Sequence, residues 1–316
     1  GIAAVCLAGF TFAQDAPLWM RHSVISPDGT TIAFTYKGDI YTVPVAGGRA
    51  MQITTNPAYD TAPVWSPDSK RIAFASDRMG SLDVYIVAKD GGEPRRLTTH
   101  SGSETPLAFT DAGHVLFSAG IMPSAEAVVF PSNGQFNQVY RVSVEGGRPT
   151  MISSMPMECI SINKEGAMLY QDKKGYEDYW RKHHVSPIAR DIWMYTPGKE
   201  PQYRQLTTFG GEDREPVWAP DGKTFYYLSE ENGSFNIYRR TPGDAKAVQL
   251  THYTKNPVRY LSAATDGRLC YGFDGEIYTL LPGGEAQKVN ISIVSDRNDK
   301  DIIRQIKSSG ATEMAV

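Results

Sequence analysis

A repeated unit of 39 to 55 residues constrains this chain more than any other feature of its sequence. The clearest copy runs from Ala62 to Thr98, APVWSPDSKRIAFASDRMGSLDVYIVAKDGGEPRRLT. Its parts recur as SPDGTTIAFTYKGDIYTVPVAGGRAMQIT and as EPVWAPDGKTFYYLSEENGSFNIYRRTPGDAKAVQLT. Weaker copies are FTDAGHVLFSAG with QVYRVSVEGGRPTMIS, INKEGAMLYQ with DIWMYTPGKEPQYRQLT, and AATDGRLCYGFDGEIYTLLPGGEAQKVNI. Two landmarks count the copies independently. The polar residue before the third-strand aliphatic falls at Asp39, Asp83, Gln138, Asp191, Asn236 and Glu276, at intervals of 44, 55, 53, 45 and 40. The closing aliphatic falls at Ile53, Leu97, Ile152, Leu206, Leu250 and Val289, at intervals of 44, 55, 54, 44 and 39. The two series agree within one residue, so there are six copies.

Each copy reads as strand, Pro-Asp-Gly-type turn, strand, loop, Asp-Ile-Tyr-type strand, Gly-Gly-type turn and a strand ending in Leu-Thr. Runs such as Ile72 to Ala75 and Val84 to Val87 are rich in β-branched and aromatic residues, and turn signals punctuate them. Proline presets φ, aspartate bonds its own backbone and glycine accepts positive φ, which suits a tight turn. Four short strands per unit of ~40–45 residues make a propeller blade, whose sheet buries both faces against its neighbours. The expected fold is all-β, a six-bladed β-propeller of four-stranded antiparallel blades.

Strand direction alone puts the Pro-Asp-Gly and Gly-Gly turns on one face of the ring, a face expected to be structural. The other face carries the loops between second and third strands. These are tiny at Lys37 to Asp39 and Phe273 to Gly275, but long at Ile121 to Phe136 and Asp172 to Arg190, on adjacent blades. Long loops without strands of their own are usually functional or disordered. The blade-four loop mixes Tyr176, Tyr179, Trp180, Arg181 and Lys182 with His183 and His184, a composition favoured at protein-binding surfaces. Tyr176, Tyr179, Trp180, Arg181, His183 and His184 are therefore the candidate binding residues. Adjacent histidines point apart in extended chain, which weakens a shared metal site despite Glu177 and Asp178 beside them. No metal or other cofactor is expected. The repeated acids Asp39, Asp83 and Asp191 hold a fixed place in the blade, which argues for a repeated structural hydrogen bond rather than a carboxylate ring.

The chain lacks a GxSxG elbow, HExxH and a phosphate-binding loop, so no catalytic residue is expected in it. A net charge of −3 offers no broad field for nucleic acid. The opening GIAAVCLAGFTFA is too short to span a bilayer. It ends in a small residue before polar Gln14-Asp15 and fits the back half of a cleaved signal peptide. Export to the periplasm or beyond is the expectation, with no membrane span in the mature chain. Cys159 and Cys270, the cysteines outside that segment, lack zinc-site spacing. Whether they pair is open at this stage.

WSPDSKRIAFASDRMGSLDVYIV and GGEPRRLT resemble the TolB-like propeller repeats almost position for position. More narrowly, RHSVISPDGTTIAFTYKGDIYTVPVAGG and YQDKKGYEDYWRKHHVSPIARDIWMY resemble the amino-terminal propeller of bacterial tricorn-like serine peptidases. The apolar opening, the six repeats and the closing stretch divide the chain into an expected partial signal peptide over 1–13, a six-bladed propeller over 14–291, and over 292–316 a linker with the start of a further repeat. The resemblance extends over essentially all of the chain after 13. It also implies a non-catalytic domain of an exported peptidase, guiding peptides or unfolded segments and touching downstream domains of the same chain. The alternative is a free-standing periplasmic TolB-like binding propeller.

Overall fold

Alternation along each strand is used twice, because both faces of every sheet are buried. The computed structural model describes residues 17–120, 137–175 and 185–294, and there six four-stranded sheets form, each antiparallel with its strands in sequence order. Blade two is representative, with strands Asp60–Trp65, Arg71–Ser76, Asp83–Ala88 and Arg95–Arg96. The first strands of the six blades are Arg21–Ile25, Asp60–Trp65, Glu104–Asp111, Met157–Ile162, Asp213–Trp218 and Arg259–Ala263. Each lies against the first strand of the next blade, and the sixth returns to the first, so these strands ring the central channel. No helix occurs among the described residues.

The hydrophobic core is divided into six clusters, one at each blade interface. On the second strand of blade two, Ile72 and Phe74 pack towards Ala33 and Ile40 of blade one. Ala73, between them, turns to Phe109, Val115 and Phe117 of blade three. Alternate residues of one strand thus serve two different interfaces, which joins each sheet to both of its neighbours around the ring. Truncating Phe74, fully buried, costs about 3–5 kcal/mol by the usual penalty for an emptied core site.

The repeated polar letters hold each blade together. The Leu-Thr threonines Thr54, Thr98, Thr207 and Thr251 accept the backbone N–H of Ile40, Val84, Ile192 and Ile237, each at 2.9 Å. The repeated acids are bonded to the fourth strand of their own blade. Gln52 donates to Asp39 at 3.0 Å, Arg96 pairs with Asp83 at 2.9 Å, and Gln205 donates to Asp191 at 3.0 Å. The structural reading of these acids agrees with that pattern. In the Pro-Asp-Gly turns, Asp28 and Asp221 accept the N–H of Thr30 and Thr224 at 3.0 and 2.8 Å. Neighbouring turns also join, with Asp28 N–H on Ser69 Oγ at 3.1 Å and Thr265 N–H on the Pro27 carbonyl at 2.9 Å.

After blade six the chain returns to blade one. Ile291–Ser292 pairs in parallel with Gly48–Arg49, the Asn290 carbonyl accepting Gly48 N–H at 2.8 Å and Ser292 accepting Ala50 N–H at 2.9 Å. Ile291 and Ile293 enter the cluster between blades six and one. Gly47 permits this approach: its φ is +86°, and a Cβ there would stand 2.5 Å from the Asn290 carbonyl oxygen. The signal-peptide segment 1–13 and the stretch from 295 onward lie outside the described residues.

Candidate functional site

Every first strand breaks register near its loop-face end, and the break decides what faces the channel mouth. Shifts fall between Arg21 and Val24, Thr61 and Val64, Pro106 and Ala108, Glu158 and Ser161, Arg214 and Val217, and Arg259 and Ser262. At five of these bulges a residue other than glycine takes left-handed φ: His22 at 51°, Ala62 at 52°, Cys159 at 52°, Glu215 at 51° and Tyr260 at 60°. A bulge bends its strand and aims a side chain. The fold therefore demands a bulge in each blade, while the sequence chooses what each one carries. Blades two and three carry Thr61-Ala62 and Thr105-Pro106, and the other four carry charged, aromatic or thiol side chains.

Between blades four and five these side chains form a buried ionic network. Arg190 reaches Glu158 at 3.0 Å and Glu212 at 3.5 Å, and Arg214 reaches Glu212 at 2.8 Å. Gln171 donates to Glu158 at 2.9 Å and accepts Glu215 N–H at 2.9 Å, while Glu215 accepts Leu261 N–H at 2.7 Å from blade six. Burial pushes the Glu158 carboxyl up, but Arg190, Gln171 and Lys173 outweigh it and hold the group below its usual range. Burial and the carboxylates of Glu215 and Glu158 push the Cys159 thiol well up, which disfavours its thiolate. Cys159 and Cys270 are both free thiols, on different blades.

The same network clamps both ends of the blade-four loop. At its start Lys174 binds Asp191 at 2.5 Å and the Ala189 carbonyl at 2.7 Å, and Asp172 accepts Asp191 N–H at 2.8 Å. At its end stands Arg190 itself. The candidate residues Tyr176, Tyr179, Trp180, Arg181, His183 and His184 lie outside the described residues. Val185, where the described chain resumes, is 76% exposed. Sequence reasoning missed Arg190, Glu158 and Glu212; the one available signal was that Arg190 ends the insertion.

Blades six and one present a lower edge. Lys37-Gly38 and Asp274-Gly275 are two-residue hairpins with both residues at positive φ, 49° and 84°, 53° and 81°. They sit against Tyr59 and Trp19: a Cβ on Gly38 would meet the Tyr59 ring at 3.3 Å, and one on Gly275 the Trp19 nitrogen at 3.0 Å. Trp19 is 72% and Tyr59 45% exposed. Beside them the His22 and Tyr260 rings pack at 4.9 Å between centroids, and His22 meets Thr61 Oγ1 at 3.1 Å. Burial, then Arg21, lowers His22 to about 4. Among the described residues no histidine ring bonds a serine hydroxyl, and no group of three His, Cys, Asp or Glu side chains could hold a metal.

Comparison with known proteins agrees with this architecture. The family model described as the tricorn protease N-terminal beta propeller domain matches residues 17–286. Tricorn protease homolog 1 of Streptomyces coelicolor is 26% identical over 289 residues, covering 90% of this chain and 26% of that protein. The tricorn protease homolog of Saccharolobus solfataricus is 23% identical over 297 residues, covering 89% of this chain and 26% of that protein. This chain thus spans about a quarter of the length of those relatives. Among solved structures, the crystal structure of the tricorn protease superposes with a TM-score of 0.74 at 19% identity, over 90% of this chain and 27% of that one. TolB from Acinetobacter baumannii gives 0.63 at 14% identity, over 83% of this chain and 63% of that one, a likeness of fold alone.

Proposed function

Because this chain belongs to the family of tricorn protease N-terminal β-propeller domains, we propose that it is the non-catalytic propeller of an exported tricorn-like serine peptidase. In this reading its loop face receives or guides peptides and meets the peptidase core. The family match over residues 17–286 carries the reading. The division of the two faces supports it. Turn residues on one face are committed to their own and neighbouring turns. The loop face holds Trp19, Tyr59, Met79 and Val185 exposed, together with a channel mouth of unlike side chains.

The blade-four loop with Tyr176, Tyr179, Trp180, Arg181, His183 and His184 is the contact this reading assigns to peptide or core. A lost Trp or Arg hot-spot contact costs about 2 kcal/mol or more, roughly thirtyfold in affinity. The test replaces Trp180 and Arg181 with alanine in the complete natural protein and measures peptide turnover and propeller-to-core association at unchanged melting temperature. If both stay within about twofold of the parent, the loop has no such role. The 316-residue chain by itself is expected to hydrolyse no peptide; turnover that co-purifies with it would overturn the non-catalytic assignment.

A further inference from the structure

Blade five differs from blades two and four at the corner where its fourth strand meets the turn face. In blade two the cross-strand neighbours Val64, Ala73, Ile86 and Arg95 form one row. Arg95 crosses from it to blade three, bonding Glu145 at 2.8 Å and the Val144 carbonyl. In blade four the row is Ser161, Leu169, Met194 and Arg204. Arg204 likewise stands against the next blade, where a Cβ on Gly243 would lie 3.6 Å from its guanidinium. In blade five the row is Val217, Tyr226, Arg239 and Val248. Valine, 51% exposed, takes the place of the crossing arginine, and the guanidinium sits one strand further in. A cavity of about 480 Å³ opens at this corner, within the ~300–1,000 Å³ of a typical small-molecule site.

The lining carries two guanidiniums, of Arg239 and Arg240, and two carboxylates, of Asp221 and Asp244. Half of these groups are committed. Arg240 donates to the Asp244 carbonyl from Nε at 3.0 Å and Nη2 at 2.6 Å, and to the Leu206 carbonyl from Nη1 at 2.7 Å. Asp221 accepts the N–H of Lys223 and Thr224 at 2.9 and 2.8 Å and the Thr224 hydroxyl at 2.8 Å. Burial pushes its carboxyl up, but those bonds outweigh it and hold the group below its usual range. The other half are open. Asp244 accepts the Thr241 N–H at Oδ2, at 3.3 Å, and its Oδ1 has no partner among the described residues. Arg239 has neither an acid nor a carbonyl partner there, so one charge of each sign faces the cavity without pairing with the other.

A buried polar group adds an independent observation. Tyr226 lines the cavity and is only 5% exposed, its ring packed in the cluster between blades five and six. Its hydroxyl has no hydrogen-bond partner among the described residues, although a buried tyrosine ordinarily finds one. Burial raises the phenol, Arg239 draws it back and Asp221 pushes it up, which places both charges beside it. Ala219, Pro220 and the exposed Val248 complete the wall with apolar surface.

We propose that this cavity binds a small zwitterion, an α-amino acid with an aliphatic side chain. Arg239 and the Tyr226 hydroxyl hold its carboxylate, Asp244 takes its ammonium group, and Pro220 and Val248 pack against its side chain. A guanidinium matches a carboxylate through paired N–H donors. A wall with one open charge of each sign also selects against simpler ions, since an anion alone meets Asp244 and a cation alone meets Arg239. The site lies on the turn face, away from the channel mouth, and does not depend on how the loop face is used.

The test titrates the 316-residue chain with leucine, leucinamide and N-acetylleucine and follows the backbone amide NMR shifts from Thr241 to Val248. Leucine is expected to shift them saturably and to bind at least about tenfold tighter than either capped form, because each cap removes one charge-assisted contact. Arg239→Gln is expected to abolish the advantage over leucinamide, and Asp244→Asn the advantage over N-acetylleucine. Tyr226→Phe, which keeps the packed ring, is expected to weaken leucine and N-acetylleucine and to spare leucinamide. The rest of the spectrum shows that each variant, made separately, is folded. Equal binding of N-acetylleucine would make the cavity an anion site, and equal binding of leucinamide a cation site; either result refutes the zwitterion. The proposal also fails if none of the three shifts these amides saturably, or if either advantage survives its variant.

Discussion

Replacing Arg190 with methionine removes the guanidinium that ties Glu158 on the channel wall of blade four to Glu212 of blade five. Its guanidinium side chain is only 6% exposed, and it bridges Glu158, 30% exposed, and Glu212, 2% exposed. Removing one partner of a fully buried ion pair costs about 3–5 kcal/mol, because the other charge is left unpaired. Here both acids keep a partner: Glu212 retains Arg214 at 2.8 Å, and Glu158 retains Lys173 at 3.4 Å. Glu158 is also partly solvated. The expected cost is therefore lower, about 2–3 kcal/mol, and at about 2 °C per kcal/mol for a large domain the melting temperature falls by about 4–6 °C. Arg190→Lys keeps the charge but not the fork, so it is expected to recover only part of the loss. Differential scanning calorimetry of the three proteins measures this. Adding Glu158→Gln to Arg190→Met removes a carboxylate that has lost its closest cation, and is expected to cost less than the two single changes summed. A melting temperature within about 1 °C of the parent for Arg190→Met would show that the network carries no net stability, and strict additivity in the double variant would show that Arg190 and Glu158 are not coupled.

Burial first, with Asp83 adding, raises Glu104 to about 7, and burial first, with Asp191 adding, raises Asp213 to about 7. Between the unfolded carboxylate range near 4 and pH 7 the folded chain holds protons the unfolded chain has lost, so stability is expected to fall as pH rises through that window and level off above it. Urea melts at pH 5 and pH 8 measure the slope, which Glu104→Gln with Asp213→Asn should flatten. Gly47→Ala, at φ +86° and 2.5 Å from the Asn290 carbonyl, is expected to cost about 2 kcal/mol or more through strain and displacement of the returning strand. Hydrogen exchange at the Gly48 and Ala50 amides, which bond Asn290 and Ser292, should accelerate. Burial pushes Cys159 well up and Cys270 to about 12, so both thiols are expected to react slowly with a disulfide reagent at pH 8 and rapidly in denaturant. Fast labelling of the folded chain would contradict their environments.

The signals legible in the sequence are the local ones. A period-2 alternation, a turn that needs Pro-Asp-Gly, and a Leu-Thr ending each act within a few residues, and six repetitions of them specify six four-stranded blades without reference to any distant contact. The structural role of Asp39, Asp83 and Asp191 was legible for the same reason, since each bonds a residue 13 or 14 positions on within its own repeat. The rest depends on ring closure. Ile25 N–H meets Ser262 Oγ across 237 residues, Glu212 comes to Arg190 from the next blade, and His22 packs against Tyr260 only because the sixth blade lies beside the first. Nothing in the spacing of those residues marks them as neighbours. Their proximity is set by the rotation from blade to blade and by bulges that turn one side chain per first strand to the channel. The repeat therefore determined the scaffold, and the closed ring alone decided which side chains meet at its mouth.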